Sequence, residues 1–585
     1  MLKQAAKNNT ALQLKTDWMK SWPGALELWG KFIRLPEPVF CADREEETRE
    51  GLTGSFAMIR LTDHRIILSP KTIVEKNLGK FSREIMGHEI GHHVLCPADL
   101  ADTGRMIARI RRGLPTVESY APLVGNLYTD LLINDRLFRS HGLRMDEIYR
   151  RIADDGGDPL WNFYMRIYEI LWAIPRGTLA RGDITPEMEG DAQLGNRVVR
   201  AYAADWVRGA GRFAALCLPY LIKGVEKGAA LNYILDANRA AGGEESPAGL
   251  AEIDDDELTG SEHPAMDNAG EEDLPGRNTR LGGSGKSYRE PFEYGQILKS
   301  MGISLTDEQI TARYYRERAV PYLVPFPSVE SPRATDPLPE GLDLWDMGDP
   351  LDRINWIESA LRSPVLIPGV TVYETHYGEE RGFEKSIEPV DLDIYIDSSG
   401  SMPNPGMSMS FLALAGVIIV LSALRAGSRV QATLWSGPAE FKTTKGFITD
   451  EALILAVITG YIGGSTAFPI HTLRDTYEGR TPASRKAHIL HISDDGITTM
   501  FDTDEKGNSG RDIAAMALER AGGGGSMALN LYSDWHADKQ LVVAAGQGWE
   551  IYPVTDWSQL IEFGRAFTRR HYAKKISEKG AGYEA

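Results

Sequence analysis

The sequence predicts a multidomain protein with a mainly α-helical N-terminal part and a C-terminal α/β domain, in which helices cover both faces of a parallel sheet (a doubly wound fold). Two patterns carry this prediction. Before residue 240, apolar residues recur three and four positions apart, as in helices that bury one face. After Val390, short continuous apolar runs alternate with helical stretches, as in a covered parallel sheet. The 585 residues allow about three or four domains.

The apolar patterns predict the individual elements. In the N-terminal part we expect helices over 81–95, 123–140, 158–172 and 198–222, and short strands over 57–61 and 65–69. In the C-terminal part we expect strands over 392–396, 430–434, 488–492, 527–531 and 550–554. The apolar run 411–424 is too short to cross a bilayer and predicts a buried helix.

An acidic stretch separates the two parts. Between Ala240 and Gly276 there is no Lys or Arg, while acidic residues cluster among Gly, Ser and Pro. Such a composition buries too little apolar surface to offset its ordering entropy, so it predicts a mobile, solvated linker. The predicted parts are therefore a helical domain (1–239), the linker (240–290), a mixed connecting segment (291–387), the α/β domain (388–573) and a tail (574–585).

Composition restricts the function classes. The net charge of −18 disfavours unspecific binding to nucleic acid, which needs concentrated positive charge. The three cysteines form no CxxC pair, which excludes a disulfide framework and fits a reducing compartment. The N-terminus lacks the apolar core of a signal peptide. We therefore expect a cytoplasmic protein that is not bound to a membrane.

The first motif with chemical content is His88-Glu89-Ile-Gly-His92. Residues four apart share one face of a helix, so His88 and His92 can present two imidazoles to one metal ion. Glu89 stands beside them, where its carboxylate can act as a general base and so be the catalytic residue. The alternative is that the histidines are ordinary surface or packing residues.

A catalytic zinc ion takes three protein ligands and keeps one position open. Asn126, Asp130 and Asn134 are four apart and form a polar stripe on an apolar helix, and a buried stripe of this kind needs partners. Asp130, the ionisable group in its middle, is the expected third ligand. Asn126, Asn134 and Asp135 are expected to support the ligands through hydrogen bonds. The alternative is a helix face exposed to solvent.

A second set of motifs carries oxygen donors. A predicted strand runs into Asp397-Ser-Ser399-Gly-Ser401, a glycine turn precedes Thr466, and Asp494 and Asp495 follow another predicted strand. Ligands of open α/β sheets bind at the carboxyl ends of the strands. Hard oxygen donors suit Mg²⁺ (or Mn²⁺ or Ca²⁺) rather than zinc. The alternatives are that Asp495 replaces Asp494, or that the first motif is only a polar turn.

These motifs together carry a resemblance. The histidine motif and the later Asn126–Asn134 stripe resemble bacterial zincin-like (HExxH) metallopeptidases that have a C-terminal von Willebrand factor A domain. The resemblance implies two histidine ligands and a general base from the first motif, and an acidic zinc ligand from a later helix. Residues 388–573 resemble the von Willebrand factor A fold with its metal-ion-dependent adhesion site. There the resemblance implies direct coordination by Ser399, Ser401 and Thr466, and contacts through water for Asp397 and Asp494.

The implied function is zinc-dependent peptide hydrolysis, with a protein partner or substrate bound through the magnesium site. The resemblance also implies a MoxR-type AAA+ ATPase as partner. Gly282-Gly-Ser-Gly-Lys-Ser287 lacks the first glycine of a phosphate-binding loop and follows no predicted strand, so any ATP-driven work is expected to come from another chain. Two alternatives stay open: a non-catalytic metal-binding adaptor of such an ATPase and, on fold analogy alone, a subunit of a metal chelatase.

Overall fold

The computed structural model describes residues 2–52, 55–152, 157–226, 247–258, 260–266, 287–323, 328–331, 336–380, 386–481, 484–531, 533–556 and 558–572. The chain divides into two compact units. The first comprises Met1–Arg318 with Pro405–Met409, and the second comprises Ala319–Asn404 with Ser410–Ala585. The predicted boundaries at 239, 290, 387 and 573 differ from this division and stay predictions. The predicted tail lies outside the described residues.

The first unit is mainly helical. Its helices are α1 (Leu2–Glu27), α2 (Arg44–Arg49), α3 (Pro70–Glu75), α4 (Ser82–Val94), α5 (Leu100–Gly113), α6 (Ala121–His141), α7 (Met145–Ile152), α8 (Pro159–Leu171), α9 (Pro186–Ala201), α10 (Trp206–Glu226), α11 (Pro291–Ser300) and α12 (Asp307–Ala319). Its strands are β1 (Val39–Phe40), β2 (Ala57–Arg60), β3 (Arg65–Leu68), β4 (Glu252–Ile253) and β5 (Ser287–Tyr288). Strand β3 lies between β1 and β2, parallel to β1 and antiparallel to β2. β4 and β5 form a separate antiparallel pair.

Most predicted elements of this unit are confirmed, but one helix is not. α4, α6 and α8 match the predicted ranges 81–95, 123–140 and 158–172, and β2 and β3 match the predicted strands. The single helix expected over 198–222 is wrong, because α9 ends at Ala201 and α10 begins at Trp206. A residue of α6 stabilises the break between α9 and α10, because the Tyr128 hydroxyl donates a hydrogen bond to the Trp206 carbonyl oxygen at 2.9 Å.

The prediction of a solvated acidic linker is also wrong where the structure describes it. Residues 247–258 and 260–266 belong to the first unit. Glu257 is 0% exposed and accepts hydrogen bonds from Arg289 (2.8 Å) and Arg112 (3.0 Å). Arg109 donates to both Asp254 and Asp256 at 2.9 Å. Arg109 and Arg112 lie far away in the sequence, and Arg112 together with Arg289 allows Glu257 to be buried. Residues 240–246, 259 and 267–286 of the predicted linker are outside the described part.

The second unit is built on a mixed sheet. Its strands are β6 (Ser328–Ser331), β7 (Asp336–Leu344), β8 (Tyr373–Glu380), β9 (Ser386–Pro389), β10 (Asp391–Asp397), β11 (Val430–Gly437), β12 (Glu440–Thr443), β13 (Ala487–Asp494), β14 (Gly522–Asn530) and β15 (Trp549–Val554). Its helices are α13 (Trp356–Arg362), α14 (Phe411–Arg425), α15 (Glu451–Ile458), α16 (Ile470–Tyr477), α17 (Gly510–Ala521), α18 (Lys539–Gly546) and α19 (Gln559–Tyr572). Short 3₁₀ helices in the two units are Glu118–Tyr120, Pro264–Met266, Val320–Tyr322, Leu351–Arg353, Asp495–Phe501 and Trp535–Ala537.

Six strands of the described chain form the sheet, in the order β12-β11-β10-β13-β14-β15. All neighbours are parallel except β11 and β12, which form an antiparallel pair at one edge. The five parallel strands coincide with the five that the sequence predicts, and α14 coincides with the predicted buried helix. β10 is buried along its whole length and lies between β11 and β13. The carboxyl ends of β10 and β13 therefore meet at one edge of the sheet.

Two smaller pairs of strands precede the sheet along the chain, β6 with β9 and β7 with β8. No helix in the described ranges is both long enough and apolar enough to span a membrane.

Candidate metal centre

Two helices of the first unit carry the predicted zinc ligands. α4 bears His88 and His92 one turn apart, and α6 bears Asp130. Close packing of these helices depends on Gly91: a Cβ atom there would lie 2.5 Å from Ile133 Cγ2 and 2.7 Å from Trp29 Cζ2. Because carbon atoms in contact normally lie about 3.5–4.0 Å apart, only glycine allows α4 to approach α6 this closely.

The three predicted ligands converge. Nε2 of His88 lies 3.2 Å from Nε2 of His92, and Asp130 Oδ1 lies 3.4 Å and 3.3 Å from these two nitrogens. Donors bonded to one zinc ion in a tetrahedron at 2.0–2.1 Å lie about 3.3–3.4 Å apart, so the spacing fits such an ion. Among the described residues, these three side chains form the one group of His, Cys, Asp and Glu side chains with such a spacing.

Hydrogen bonds fix the tautomers of both rings. His88 Nδ1 lies 2.7 Å from Asn134 Oδ1, and His92 Nδ1 lies 3.2 Å from the Cys96 carbonyl oxygen. Both partners are acceptors, so in the neutral rings each Nδ1 carries the hydrogen and each Nε2 presents a lone pair. Two lone pairs and a carboxylate oxygen therefore face one point, an arrangement that calls for a cation.

The burial and pKa of Asp130 also favour a cation at this point. The side chain is 0% exposed, and its Oδ1 accepts no hydrogen bond within the described chain. Burial by itself would lower the pKa of His88, but the charge of Asp130, the charge of Glu89 and the contacts with Asp130 and Asn134 together outweigh it and raise this pKa to about 9. Conversely, burial opposes ionisation of Asp130, but the charges and contacts of His88 and His92 together lower the pKa of this carboxyl to about 2. The cluster therefore holds one positive charge strongly, as a proton or as a metal ion.

Asn134 contacts His88, as its predicted supporting role requires, and two tyrosines that the sequence analysis missed also contact it. Its Nδ2 donates to the Tyr149 and Tyr168 hydroxyls at 2.9 and 2.8 Å. The hydroxyls of Tyr149, Tyr164 and Tyr168 form a closed ring of contacts of 2.9–3.3 Å. This network fixes the orientation of the amide, so that its oxygen faces His88. Tyrosines at 164 and 168, four apart on a predicted helix, are a signal that could have indicated it.

The other two supporting residues behave differently. Asn126 Nδ2 lies 3.5 Å from Asp130 Oδ2, a long contact, and its own Oδ1 has no partner in the described part of the chain. Asp135 accepts from Arg139 at 2.8 Å, on the same helix, and the structure gives it no contact with either histidine. The expectation that Asp135 supports the ligands therefore finds no support in its contacts.

A pocket adjoins the three donors. Glu89, 6% exposed, lines it together with His88, His92 and Asp130, and the walls are largely apolar. Apolar side chains of the pocket include Phe56, Ala57, Ile85, Met145, Ile148 and Ile152. Its volume of about 50 Å³ is room for a few water molecules. If the three side chains hold a metal ion, a neighbouring pocket that admits water would leave it an open position, as catalytic zinc sites have and closed structural sites lack.

The second predicted site lies in the second unit, at the carboxyl ends of β10 and β13. Ser399 Oγ lies 3.2 Å from Ser401 Oγ, which in turn donates to Asp494 Oδ2 at 3.4 Å. Asp397 lies beneath them and accepts from the Ser399 amide (2.8 Å) and from the Ser493 hydroxyl (2.6 Å). The donors are all oxygens, which fits Mg²⁺, Mn²⁺ or Ca²⁺ better than zinc.

The remaining residues of this site are placed as follows. Asp494 reaches the serines, whereas Asp495 is exposed at the start of a 3₁₀ helix. Thr466 lies close to Gly496, where a Cβ atom would be 2.3 Å from Thr466 Cγ2 and 2.9 Å from Asp494 Oδ1. Burial raises the pKa of Asp397, and the nearby charge of Asp494 adds to the rise, whereas the hydrogen bond from Ser493 opposes it. A cation would offset the repulsion between these two carboxyl groups.

The comparisons with known proteins give no family. No protein-family model and no curated protein matches this sequence. One similar solved structure is a mutant of the PilB minor pilin from Streptococcus sanguinis, with 12% identity, a TM-score of 0.22, and coverage of 45% of this chain and 96% of that one. Another is the conserved hypothetical protein BatB from Bacteroides thetaiotaomicron, with 13% identity, a TM-score of 0.20, and coverage of 31% and 98%. Such low scores carry no argument about this chain, whose assignment therefore depends on its own residues.

Proposed function

We propose that this protein is a zinc-dependent peptide hydrolase with a zincin-like N-terminal domain. The observation that carries the proposal is the convergence of His88 Nε2, His92 Nε2 and Asp130 Oδ1 beside a pocket that Glu89 also lines. His88, His92 and Asp130 would hold the ion. A zinc ion there supplies Lewis acidity toward a water molecule and a carbonyl group.

Residues of this chain would perform the proton transfers, orient the ligands and shape the substrate pocket. Glu89 accepts a proton from the attacking water and delivers it to the leaving amine, as a general base and then a general acid. Asn134 holds the Nδ1 hydrogen of His88, so that Nε2 of this ring keeps its lone pair. The apolar pocket wall excludes bulk water and favours an apolar side chain of the substrate.

In the second unit we propose a von Willebrand factor A module that binds a magnesium ion. Ser399, Ser401 and Thr466 would hold the ion directly, and Asp397 and Asp494 through water. A carboxylate of a partner protein would complete the coordination. By the resemblance to such proteins, the proposed partner is a MoxR-type AAA+ ATPase in the cytoplasm, which would supply the ATP-driven work for which this sequence has no complete phosphate-binding loop. Residues 282–286 of the incomplete loop lie outside the described part of the chain.

Metal content and peptide cleavage by the full chain test the hydrolase. Purified protein should contain zinc, which elemental analysis should no longer detect in His88→Ala. Glu89→Gln should keep the zinc but cleave a quenched fluorescent peptide library at least about 100-fold more slowly. Zinc retained by His88→Ala, or unchanged cleavage by Glu89→Gln, would contradict the proposal.

The second candidate function is a non-catalytic metal-binding adaptor. It is favoured by the oxygen cluster of Ser399, Ser401 and Asp494, which suits partner binding and needs no hydrolysis. Zinc binding without cleavage of any library peptide by the wild type would select it. Mn²⁺ binding, followed by electron paramagnetic resonance, tests the cluster: Asp494→Asn should weaken it about tenfold or more, while the matched control Asp495→Asn leaves it unchanged.

A further inference from the structure

The connecting segment of the second unit has an unusual surface. Almost half of the exposed large apolar side chains in the described part of the chain lie between Leu344 and Val370. Met347, Leu361 and Ile357 are 81%, 76% and 73% exposed. Scattered apolar residues on a surface are ordinary, but a concentration of this kind marks an interaction site.

The segment folds into a small module, so its exposed residues lie near one another. Ile357 and Leu361 are four apart on α13 and share its outer face, while Ser359 faces inward and accepts from the Tyr373 amide at 2.8 Å. The amide of Gly369 donates to the Trp345 carbonyl at 2.8 Å, which holds the loop 365–370 against the residues that precede α13. We call the exposed set Met347, Ile357, Leu361, Val365 and Val370 the apolar face.

The module has little core to support that face. Its buried cluster consists of Trp345, Ile354 and Val372. More large apolar side chains point outward than inward, which is unfavourable for a module of this size in water. Covering the apolar face would therefore stabilise the module as well as the complex.

Acidic residues alternate with the apolar ones along the first part of this segment. Asp343, Asp346, Asp349 and Asp352 recur at every third position and are all exposed. The two basic residues between 343 and 370 are Arg353 and Arg362, and Arg362 is paired with Glu358 at 3.5 Å. The net charge around the face is therefore negative. A second copy would bring like charges together, and an anionic membrane would be repelled in the same way.

We propose that this face binds an amphipathic helix of a partner protein that carries lysine or arginine beside its apolar residues. The apolar face supplies the burial, and the four aspartates select the basic partner and set its orientation. None of the residues of the apolar face belongs to either proposed metal site.

A synthetic peptide tests the proposal. The probe contains only leucine and lysine, spaced so that all leucines share one helix face, and a scrambled peptide of the same composition is its control. Fluorescence anisotropy with the full chain should show saturable binding of the amphipathic peptide and at least about tenfold weaker binding of the scrambled one. Equal binding of the two peptides would reduce the effect to charge and overturn the proposal.

Variants locate the binding site. Ile357→Ser with Leu361→Ser should weaken binding about tenfold or more, and Asp346→Asn with Asp349→Asn should weaken it and reduce its salt dependence. The matched control is Val542→Ser with Val543→Ser, an exposed apolar pair on α18 of the same unit, which should bind like the wild type. Unchanged binding by the first pair would refute the site. A dimer in sedimentation experiments that the first pair dissociates would show that a second copy occupies the face instead.

Discussion

The close contact between α4 and α6 makes Gly91 a position where one methyl group should damage the metal centre. The Cβ atom of Gly91→Ala would overlap Ile133 Cγ2 (2.5 Å) and the Trp29 ring (2.7 Å), and both groups are stiff. Each distance is about 1 Å shorter than an ordinary carbon contact. Overpacking of this kind costs about 1–3 kcal/mol, while replacing glycine by alanine inside a helix gains about 1 kcal/mol. We expect a net loss of up to about 2 kcal/mol, where a substitution free of overlap would give a gain.

The matched control is Gly190→Ala on α9, where nothing lies within 4 Å of the added Cβ atom. This substitution keeps the gain in helix propensity without the overlap, so it should stabilise the first unit by about 0.5–1 kcal/mol. Urea unfolding of the full chain measures both, on the transition that shifts when zinc is added. Gly91→Ala should also bind zinc more weakly in a competition titration, because α4 must move relative to Asp130. If Gly91→Ala stabilised the unit as much as Gly190→Ala, the packing argument would be wrong.

Three further predictions concern buried polar groups. Asn134→Leu should lower zinc affinity about 10- to 100-fold in competition titrations, since the amide fixes a ligand ring, and Asn134→Asp should lower it less. Arg289→Met leaves Glu257 buried with one cation fewer, so thermal unfolding should show a loss of about 3–5 kcal/mol. In the second unit, burial lowers the pKa of His491 to about 3 and raises that of Asp393 to about 7. The contribution of His491 to stability is complete above its unfolded pKa of about 6.5, and it falls by about 1.4 kcal/mol per pH unit toward pH 3. The contribution of Asp393 has the opposite dependence: it is complete below the unfolded pKa of about 3.8 and is lost as the pH rises to 7. In the variant His491→Phe only the contribution of Asp393 remains. The unfolding free energy of this variant, measured by urea titration, should therefore be higher at pH 5 than at pH 7. A lower value at pH 5 would contradict these pKa shifts.

The sequence predicts those parts of this fold whose signals are local. The helices α4 and α6, which carry the proposed metal ligands, and the five parallel strands follow from the spacing of apolar residues, which is visible within a dozen positions. The proximity of Asp130 to the histidines was a hypothesis from spacing and ligand chemistry, and the distances agree with it. Ion pairs between residues that lie far apart in the sequence have no such local signal. Nothing near Glu257 in the sequence indicates that Arg112 and Arg289 neutralise it. The break between α9 and α10 likewise depends on packing, because the apolar spacing continues through it.

The hydrogen-bond acceptor of His88 Nδ1 is the amide oxygen of Asn134 and not a carboxylate, and this affects the net charge of the cluster. The three tyrosine hydroxyl protons can point around their ring in either sense, and in both senses Asn134 keeps its amide hydrogens on Tyr149 and Tyr168. The oxygen that faces His88 is thus held without adding a negative charge. A divalent ion at the proposed site would then face the carboxylates of Asp130 and Glu89 and no further negative charge from residue 134, which suits a cavity with largely apolar walls.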